Sequence, residues 1–411
     1  MRVKKFIGAV AGLAAVGLVA GCSAGGGDSA SGDQHVTVWL YPVIADEAAH
    51  KEFWDQTIAD FEKENEGITV DYEIFPWANR DESLQTAIAA NKGPDLVYLI
   101  PDQLTAYESS IEPMDDYLSD EHKGQILENV TDSITLDAGM MGAPLLTSAM
   151  TLICNQAAFD AAGVTEFPET WDDIKEIAPA FVDAGMYVLN YPASAENTLN
   201  MTYYPLLWQA GGEVYTDDGE VGFDSSEGAS ALEFITDLAD MGALDPDALT
   251  TSVPLEQTAI AQGKVGCTWN NSVPELEPFW GEENIRVLAP LTDEESVAYG
   301  TVGSLSMLKS AEDKDAAGAF AEYATSAEVI KPYLEASGFF SALDTDPIYP
   351  ADSLLGQVEQ YVPLTTVGEL AESSRALMGV LSPEIQAALL GQKSPEDALK
   401  DAATAAEPLL K

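Results

Sequence analysis

From residue 36 to residue 100 short β-type runs alternate with longer stretches of helical spacing, and this alternation limits the possible folds more than any other feature. Val36-Thr37-Val38-Trp39-Leu40-Tyr41 predicts a strand. Asp46 to Asn65 carries Phe53, Trp54, Ile58 and Phe61 at helical spacing, with Gly67 just beyond, and predicts a helix. The cycle repeats: a strand from Ile68 to Phe75, a helix from Asp81 to Asn91, a break at Lys92-Gly93-Pro94, and a strand from Asp95 to Ile100. Strand and helix in turn imply an α/β fold with a parallel sheet covered by helices on both faces. Ligands of such folds sit in the loops at the carboxyl ends of the strands. Those loops are Tyr41-Pro42-Val43, Pro76-Trp77-Ala78-Asn79 and Pro101-Asp102-Gln103.

A chain of 411 residues with 46% hydrophobic content has material for two or three folding units. Its 69 acidic residues face only 18 basic ones, a net charge of −51. That field repels nucleic-acid phosphates and anionic headgroups, so functions resting on a basic footprint are set aside, nucleic-acid binding among them.

The N-terminus points to a compartment. Arg2, Lys4 and Lys5 precede an unbroken apolar and glycine run from Phe6 to Ala20, short for a membrane span and suited to a signal peptide. Val19-Ala20-Gly21-Cys22 resembles the bacterial lipobox, in which the cysteine is acylated and becomes the first residue of the mature chain. Residues 1–21 are therefore expected to be a lipoprotein signal peptide and Cys22 the lipidation site. Ser23 to Asp33 contains only Ser, Ala, Gly and Asp, and residues 22–35 read as a flexible tether. The segment reaches at most roughly 40 Å. A lipid anchor of this kind holds the body at the extracellular face of the bacterial cytoplasmic membrane.

Cys154 and Cys267 each lie in an apolar, strand-like stretch without a nearby histidine. Both are expected as buried packing residues, with a disulfide between neighbouring strands as the alternative. The three histidines, His35, His50 and His122, fit neither a Ser-His-Asp arrangement nor zinc-ligand spacing. No catalytic residue, cofactor or metal is expected.

Ala87 to Leu99, followed by Ile111 to Leu118, resembles the corresponding run of the family 1 extracellular solute-binding proteins, the maltose-binding-protein-like receptors of ABC importers. The likeness continues in order. Gly142 to Phe159, Ala162-Gly163 and Phe167 to Asp172 are similar to the family's strand crossing into the second lobe and its Pro-x-Thr-Trp turn. Trp208 to Gly212, Ala261 to Gly266, Asp313 to Phe320 with Thr325-Ser326, and Pro395 to Lys400 extend it over nearly all of residues 36–411.

The resemblance implies a two-lobed periplasmic-binding-protein-like clamshell of type II, each lobe a sheet flanked by helices. Residues 36–146 and 291–350 would form lobe 1, and 151–289 and 352–411 lobe 2. The chain would cross the hinge three times, near 147–150, 289–291 and 350–352. Such receptors close on a ligand by hinge rotation and present the closed form to membrane permease subunits. A single-copy receptor is expected.

A neutral polyol needs flat apolar faces for its C–H surfaces, with carboxylates and amides for its hydroxyls. Tyr41, Trp77, Tyr204 and Trp269 are the aromatic candidates; Asn79, Asp102, Gln103, Ser148, Asn270 and Asn271 are the polar ones. By the resemblance, Tyr41 and the Asp102-Gln103 pair match lobe 1 sugar contacts, Ser148 a hinge-side acidic contact, and Trp269 to Ser272 a lobe 2 contact loop. Val273, Glu369 and Ser148 depart from the family's pattern and point away from maltose itself. Trp39, Trp171 and Trp208 read as packing residues, and Asp102 competes with a helix-capping role.

The expectation is an oligosaccharide receptor, with a same-fold receptor for a peptide, polyamine or metal as the alternative. A glycoside hydrolase would also line a cleft with carboxylates. However, the pairs Asp115-Asp116, Glu282-Glu283 and Glu294-Glu295 hold adjacent side chains that point different ways. Tyr203-Tyr204 could suggest an iron receptor but has no evident histidine partner. A surface adhesin would lack a deep cleft between lobes.

Overall fold

The computed structural model describes residues 34–77, 80–194, 198–216 and 218–410. Cys22 with most of the tether, and Asn79, lie outside the described residues.

The expected cycle of strands and helices is present. β1 (Gln34–Leu40) leads into α1 (Glu47–Glu64), whose first turn is closed by Asp46 accepting from the Ala49 amide. β2 (Ile68–Ile74), α2 (Arg80–Ala89), β3 (Leu96–Leu99) and α3 (Pro101–Tyr107) follow. β1 pairs in parallel with β2 and with β3, so Tyr41, Phe75 and Ile100 emerge at the same end of the sheet.

The purely parallel sheet inferred from the alternation needs correction. β4 (Ala143–Thr147) precedes the crossing to the second sheet, and the late strand β9 (Val302–Leu308) returns to pair antiparallel with both β3 and β4. Every residue of β9 is buried. A fully covered strand carries no alternation to reveal its direction, so its insertion beside β3 is a tertiary fact.

The second sheet has the order β8-β5-β7-β6: β5 (Leu152–Asn155), β6 (Tyr187–Leu189), β7 (Val265–Thr268) and β8 (Ile285–Leu288). Strand side chains alternate between faces. Leu152 and Cys154 accordingly enter one core with Phe159, Phe181, Phe234 and Leu377, while Ile153 enters another with Ile260, Leu276 and Trp280. The first sheet has its own core around Val38, Trp54, Phe61, Leu99, Leu305 and Phe320. Two sheets with separate cores make the molecule two-lobed. Residues 148–151 and 289–301 run between them, and a short parallel pair, Ala298–Tyr299 with Thr365–Thr366, ties the return segments together.

Cys154 and Cys267 form a disulfide, which corrects the expectation that both only pack. The antiparallel register of β5 and β7 places the two residues directly opposite each other. No sequence spacing announces that register across 113 residues.

Among the described residues no helix is long and apolar enough to cross a membrane, and no group of three or more His, Cys, Asp or Glu side chains is arranged to hold a metal.

Candidate functional site

The strand ends of the first sheet carry an aromatic stack. Tyr41, just past β1, lies 5.0 Å from Trp77 with the rings 21° from parallel, and Tyr98 meets both edge-on. Trp77 covers Tyr41. Tyr41 is 1% exposed and Trp77 41%, so Trp77 is the exposed member of the pair. Its indole nitrogen donates to the Pro42 carbonyl (3.1 Å), which fixes the ring. The Arg80 guanidinium stands 5.1 Å from the Trp77 ring centre and 5.9 Å from that of Tyr41, within cation–π range. Burial is the main cause that raises the Tyr41 hydroxyl above its ordinary pKa; Arg80 opposes the rise and Asp81 adds to it.

Next in space comes the start of α3, where Pro101 sets the first turn. Gln103 is buried and its polar atoms are occupied: Oε1 accepts from the Ile100 amide (3.3 Å) and Nε2 donates to Asp81 Oδ1 (2.6 Å). Gln103 therefore performs the capping considered for Asp102. Asp102 instead faces the second lobe and accepts from Arg375 Nε (2.9 Å), while Arg375 Nη1 donates to Asp81 Oδ2 (2.9 Å).

Arg375 belongs to α9, which follows three helices of the second lobe and two more of the first. α4 (Trp171–Asp183), α5 (Tyr203–Gln209) and α6 (Ser226–Asp240) belong to the second lobe. α7 (Lys314–Thr325) and α8 (Ala327–Ser337) pack on the first sheet. α9 (Ser374–Leu389) and α10 (Pro395–Ala406) close the second core.

A narrow cleft of about 20 Å3 lies where the two lobes meet, lined by Pro101 and Asp102 on one side and Asn200, Tyr204, Glu369 and Met378 on the other, with Tyr299 between. About one water fits such a volume. Tyr204 is the second residue of α5, is 3% exposed, and its hydroxyl has no hydrogen-bond partner. Burial drives its pKa far above the ordinary tyrosine value, with Tyr215 and Glu369 adding to the shift. Glu369 is held by the Val214 amide, which donates to Oε2 (2.9 Å). Gly368 beside it adopts φ +71°, and a Cβ there would meet the Trp208 ring at 2.4 Å. Trp208 thus supports this segment from below.

The loop after β7 behaves differently. Trp269 is 6% exposed, donates to the Met201 carbonyl (3.1 Å) and meets Tyr191 edge-on, so little of its ring is free for stacking. Asn270 Oδ1 accepts from Asn190 Nδ2 and Thr268 Oγ1, both at 2.8 Å, and Asn271 Oδ1 accepts from the same threonine at 3.0 Å. Asn190, Asn270 and Asn271 line a groove of about 520 Å3 in the second lobe, together with Met201, Asp245, Asp247 and Gln262. The segment carrying Asn200, Met201 and Tyr204 separates this groove from the narrow cleft: Asn200 and Tyr204 line the cleft, Met201 the groove.

Ser148 sits in the first crossing. Its hydroxyl accepts from the Thr301 amide (3.0 Å) and its own amide donates to the Thr301 carbonyl (3.0 Å), so it fastens two crossing segments together. A recess of about 620 Å3 between Phe61, Tyr117, His122 and Tyr323 holds none of the residues expected at the site.

The structure therefore brings Asp102 and Tyr204 together in the cleft, sets Tyr41 and Trp77 in a stack on the first lobe, and places Asn270 and Asn271 in the groove. Sequence reasoning missed Asp81, Arg80, Asn200, Tyr299, Met378 and Arg375. One signal was available for Arg375: it is the sole basic residue between Lys331 and Lys393.

Comparison with known proteins agrees with this architecture. A binding protein of Brucella abortus (strain 2308) is 24% identical over 370 residues, 87% of this chain and 90% of its own length. The crystal structure of an ABC transporter solute-binding protein from Thermotoga lettingae TMO, bound with α-D-tagatose, superposes with a TM-score of 0.72 at 25% identity, covering 92% of this chain and 100% of that one. The cyclic α-maltosyl-1,6-maltose binding protein from Arthrobacter globiformis shares the fold with a TM-score of 0.78 at 18% identity, again over 92% of this chain and 100% of the other. Residues 45–331 match the family model of the bacterial extracellular solute-binding proteins, and this chain belongs to that family.

Proposed function

We propose that the protein captures an oligosaccharide between its two lobes and delivers it to the permease of a bacterial ABC importer. The observation that carries this reading is the Tyr204 hydroxyl, buried at the cleft without a partner. A buried polar group of this kind costs free energy until something hydrogen-bonds to it. The Asp102 carboxylate lines the same cleft, an exposed indole stands at Trp77 on the first lobe, and the amides of Asn270 and Asn271 line the neighbouring groove. These are the groups a polyol uses. The sugars named for the Thermotoga and Arthrobacter proteins favour a carbohydrate over a peptide, polyamine or metal.

In this reading Trp77, Asp102 and Tyr204 face the ligand directly, while Asn270 and Asn271 extend its track into the groove. Tyr41, Gln103, Ser148 and Trp269 set the positions of their neighbours. Asn79 adjoins the Trp77 face in sequence. Lobe 1 comprises 36–146 with 291–350 and lobe 2 comprises 151–289 with 352–411, rotating about the three crossings to admit and enclose the sugar. Acylated Cys22 keeps the receptor at the membrane near its permease.

A thermal-shift screen over a panel of oligosaccharides tests the reading. A sugar at 100 times its dissociation constant should stabilise the fold by about 2.7 kcal/mol. A clear shift with peptides, polyamines or metals and none with any sugar would refute the carbohydrate assignment. Membrane retention that survives Cys22→Ala would refute the anchor.

A further inference from the structure

Arg375 is fixed to one lobe and holds on to the other. It stands in the first turn of α9, whose Leu377, Leu381 and Ile385 are buried in the core of the second lobe. Its guanidinium donates through Nε to Asp102 and through Nη1 to Asp81, both at 2.9 Å, and both carboxylates belong to helices that follow strands of the first sheet. A guanidinium presents its donors in a rigid plane, so two simultaneous contacts of this kind define a relative position of the lobes as well as an attraction. Beside it, Thr105 Oγ1 donates to the Ala371 carbonyl (3.2 Å), a second bond between the same two segments. The cleft left between them has a volume of about 20 Å3. No sugar ring fits, so a ligand enters only when the lobes part, and parting them breaks both contacts of Arg375.

We propose that Arg375 is the closure-determining residue of this receptor: it braces the lobes together before any ligand arrives, and it occupies the Asp102 carboxylate that a sugar must win. The brace stands on geometry alone; its competition with a sugar rests on the reading given under Proposed function. If only the parted state admits ligand, the apparent dissociation constant is the intrinsic one divided by the fraction parted, so the strength of this brace sets the receptor's working affinity. A chain with so few basic residues has placed one of them where it controls access to the cleft.

Small-angle scattering of the purified protein without ligand tests the brace. Wild type should expand as salt is raised, because the ion pairs are partly exposed and are screened. Self-repulsion of the acidic surface acts in the opposite sense, contracting the particle in salt, so expansion isolates the brace. Arg375→Met should show a larger radius of gyration at every salt concentration and lose the salt-driven expansion. Lys175→Met, which breaks the Lys175–Asp237 pair inside the second lobe, should behave as wild type. Circular dichroism checks that each variant folds; should Arg375→Met fail, the double variant Asp81→Asn, Asp102→Asn removes the same contacts from the other side. Equal radii and equal salt responses in wild type and the folded variant would overturn the proposal. Once a sugar is identified, Arg375→Met should bind it more tightly, and weaker binding would overturn the competition. A difference in radius with no sugar bound by either protein would refute the carbohydrate reading and leave the brace standing.

Discussion

Tyr204 and His50 are both buried beyond the reach of bulk water, and each carries a polar atom without a partner. Their consequences differ. Removing the Tyr204 hydroxyl takes away a group that the fold does not use, so Tyr204→Phe should leave the melting temperature unchanged or slightly higher while weakening sugar binding. A typical net hydrogen-bond contribution of about 0.5–1.5 kcal/mol corresponds to roughly a two- to tenfold loss of affinity in isothermal titration. Unchanged affinity would remove Tyr204 from the ligand site. His50 accepts from the Ile44 amide at Nδ1 (3.4 Å) and lies against Trp54 and Tyr333. Burial lowers its pKa below the usual value of 6.5, and His122 is lowered for the same reason, with Glu322 opposing. The unfolded chain therefore takes up protons first as pH falls. The stability these residues contribute is complete above pH 6.5 and is lost below it, through the lowered folded-state values. Denaturant melts of wild type should weaken between pH 7 and pH 5, and the double variant His50→Gln, His122→Gln should weaken less over that interval. Three aromatics at strand ends looked alike in sequence, yet Trp77 is free while Tyr41 and Trp269 are covered, by the Trp77 ring and by the Met201 segment. What covers a side chain is decided by residues distant along the chain, and the partners of Arg375 lie 273 and 294 positions away.

Local signals at the level of elements were legible because they are short-range. Asp46 caps α1, and the Thr170-Asp173 capping box opens α4 within four residues, each a hydrogen bond between near neighbours. The β1-α1-β2-α2-β3 cycle follows from spacing in the same way. Direction and partner of β9, and the pairing of β5 with β7, required contacts across more than a hundred residues and stayed hidden. The Cys154–Cys267 bond stitches those two strands just before the Trp269 loop. Closing a loop of about 100 residues is worth about 4.7 kcal/mol in the chain-entropy account, and loss of a native disulfide typically costs about 2–5 kcal/mol. Reduction, or the double variant Cys154→Ala, Cys267→Ala, should lower the denaturant midpoint accordingly. An unchanged midpoint under reducing conditions would show that the bond contributes nothing to the fold.

The whole molecule carries 69 acidic against 18 basic residues, and this imbalance acts on its stability as well as on its choice of partners. Self-repulsion opposes compaction and is screened by salt. Calorimetry from about 0.01 M to about 1 M NaCl, where the Debye length shrinks from about 30 Å to about 3 Å, should show a rising melting temperature. A flat profile would mean that the acidic groups are too dispersed to repel. The return of β9 into the first sheet and of α9 and α10 into the second core has a different consequence, in time rather than in energy. A chain emerging from its N-terminus presents β1, β2 and β3 long before residues 302–308 arrive to join them, and the second core waits for residues 377–406. The first half cannot finish folding before residues 302–308 are made, nor the second before residues 377–406 are. The topology itself therefore keeps each half of the polypeptide loose until its late segment has appeared.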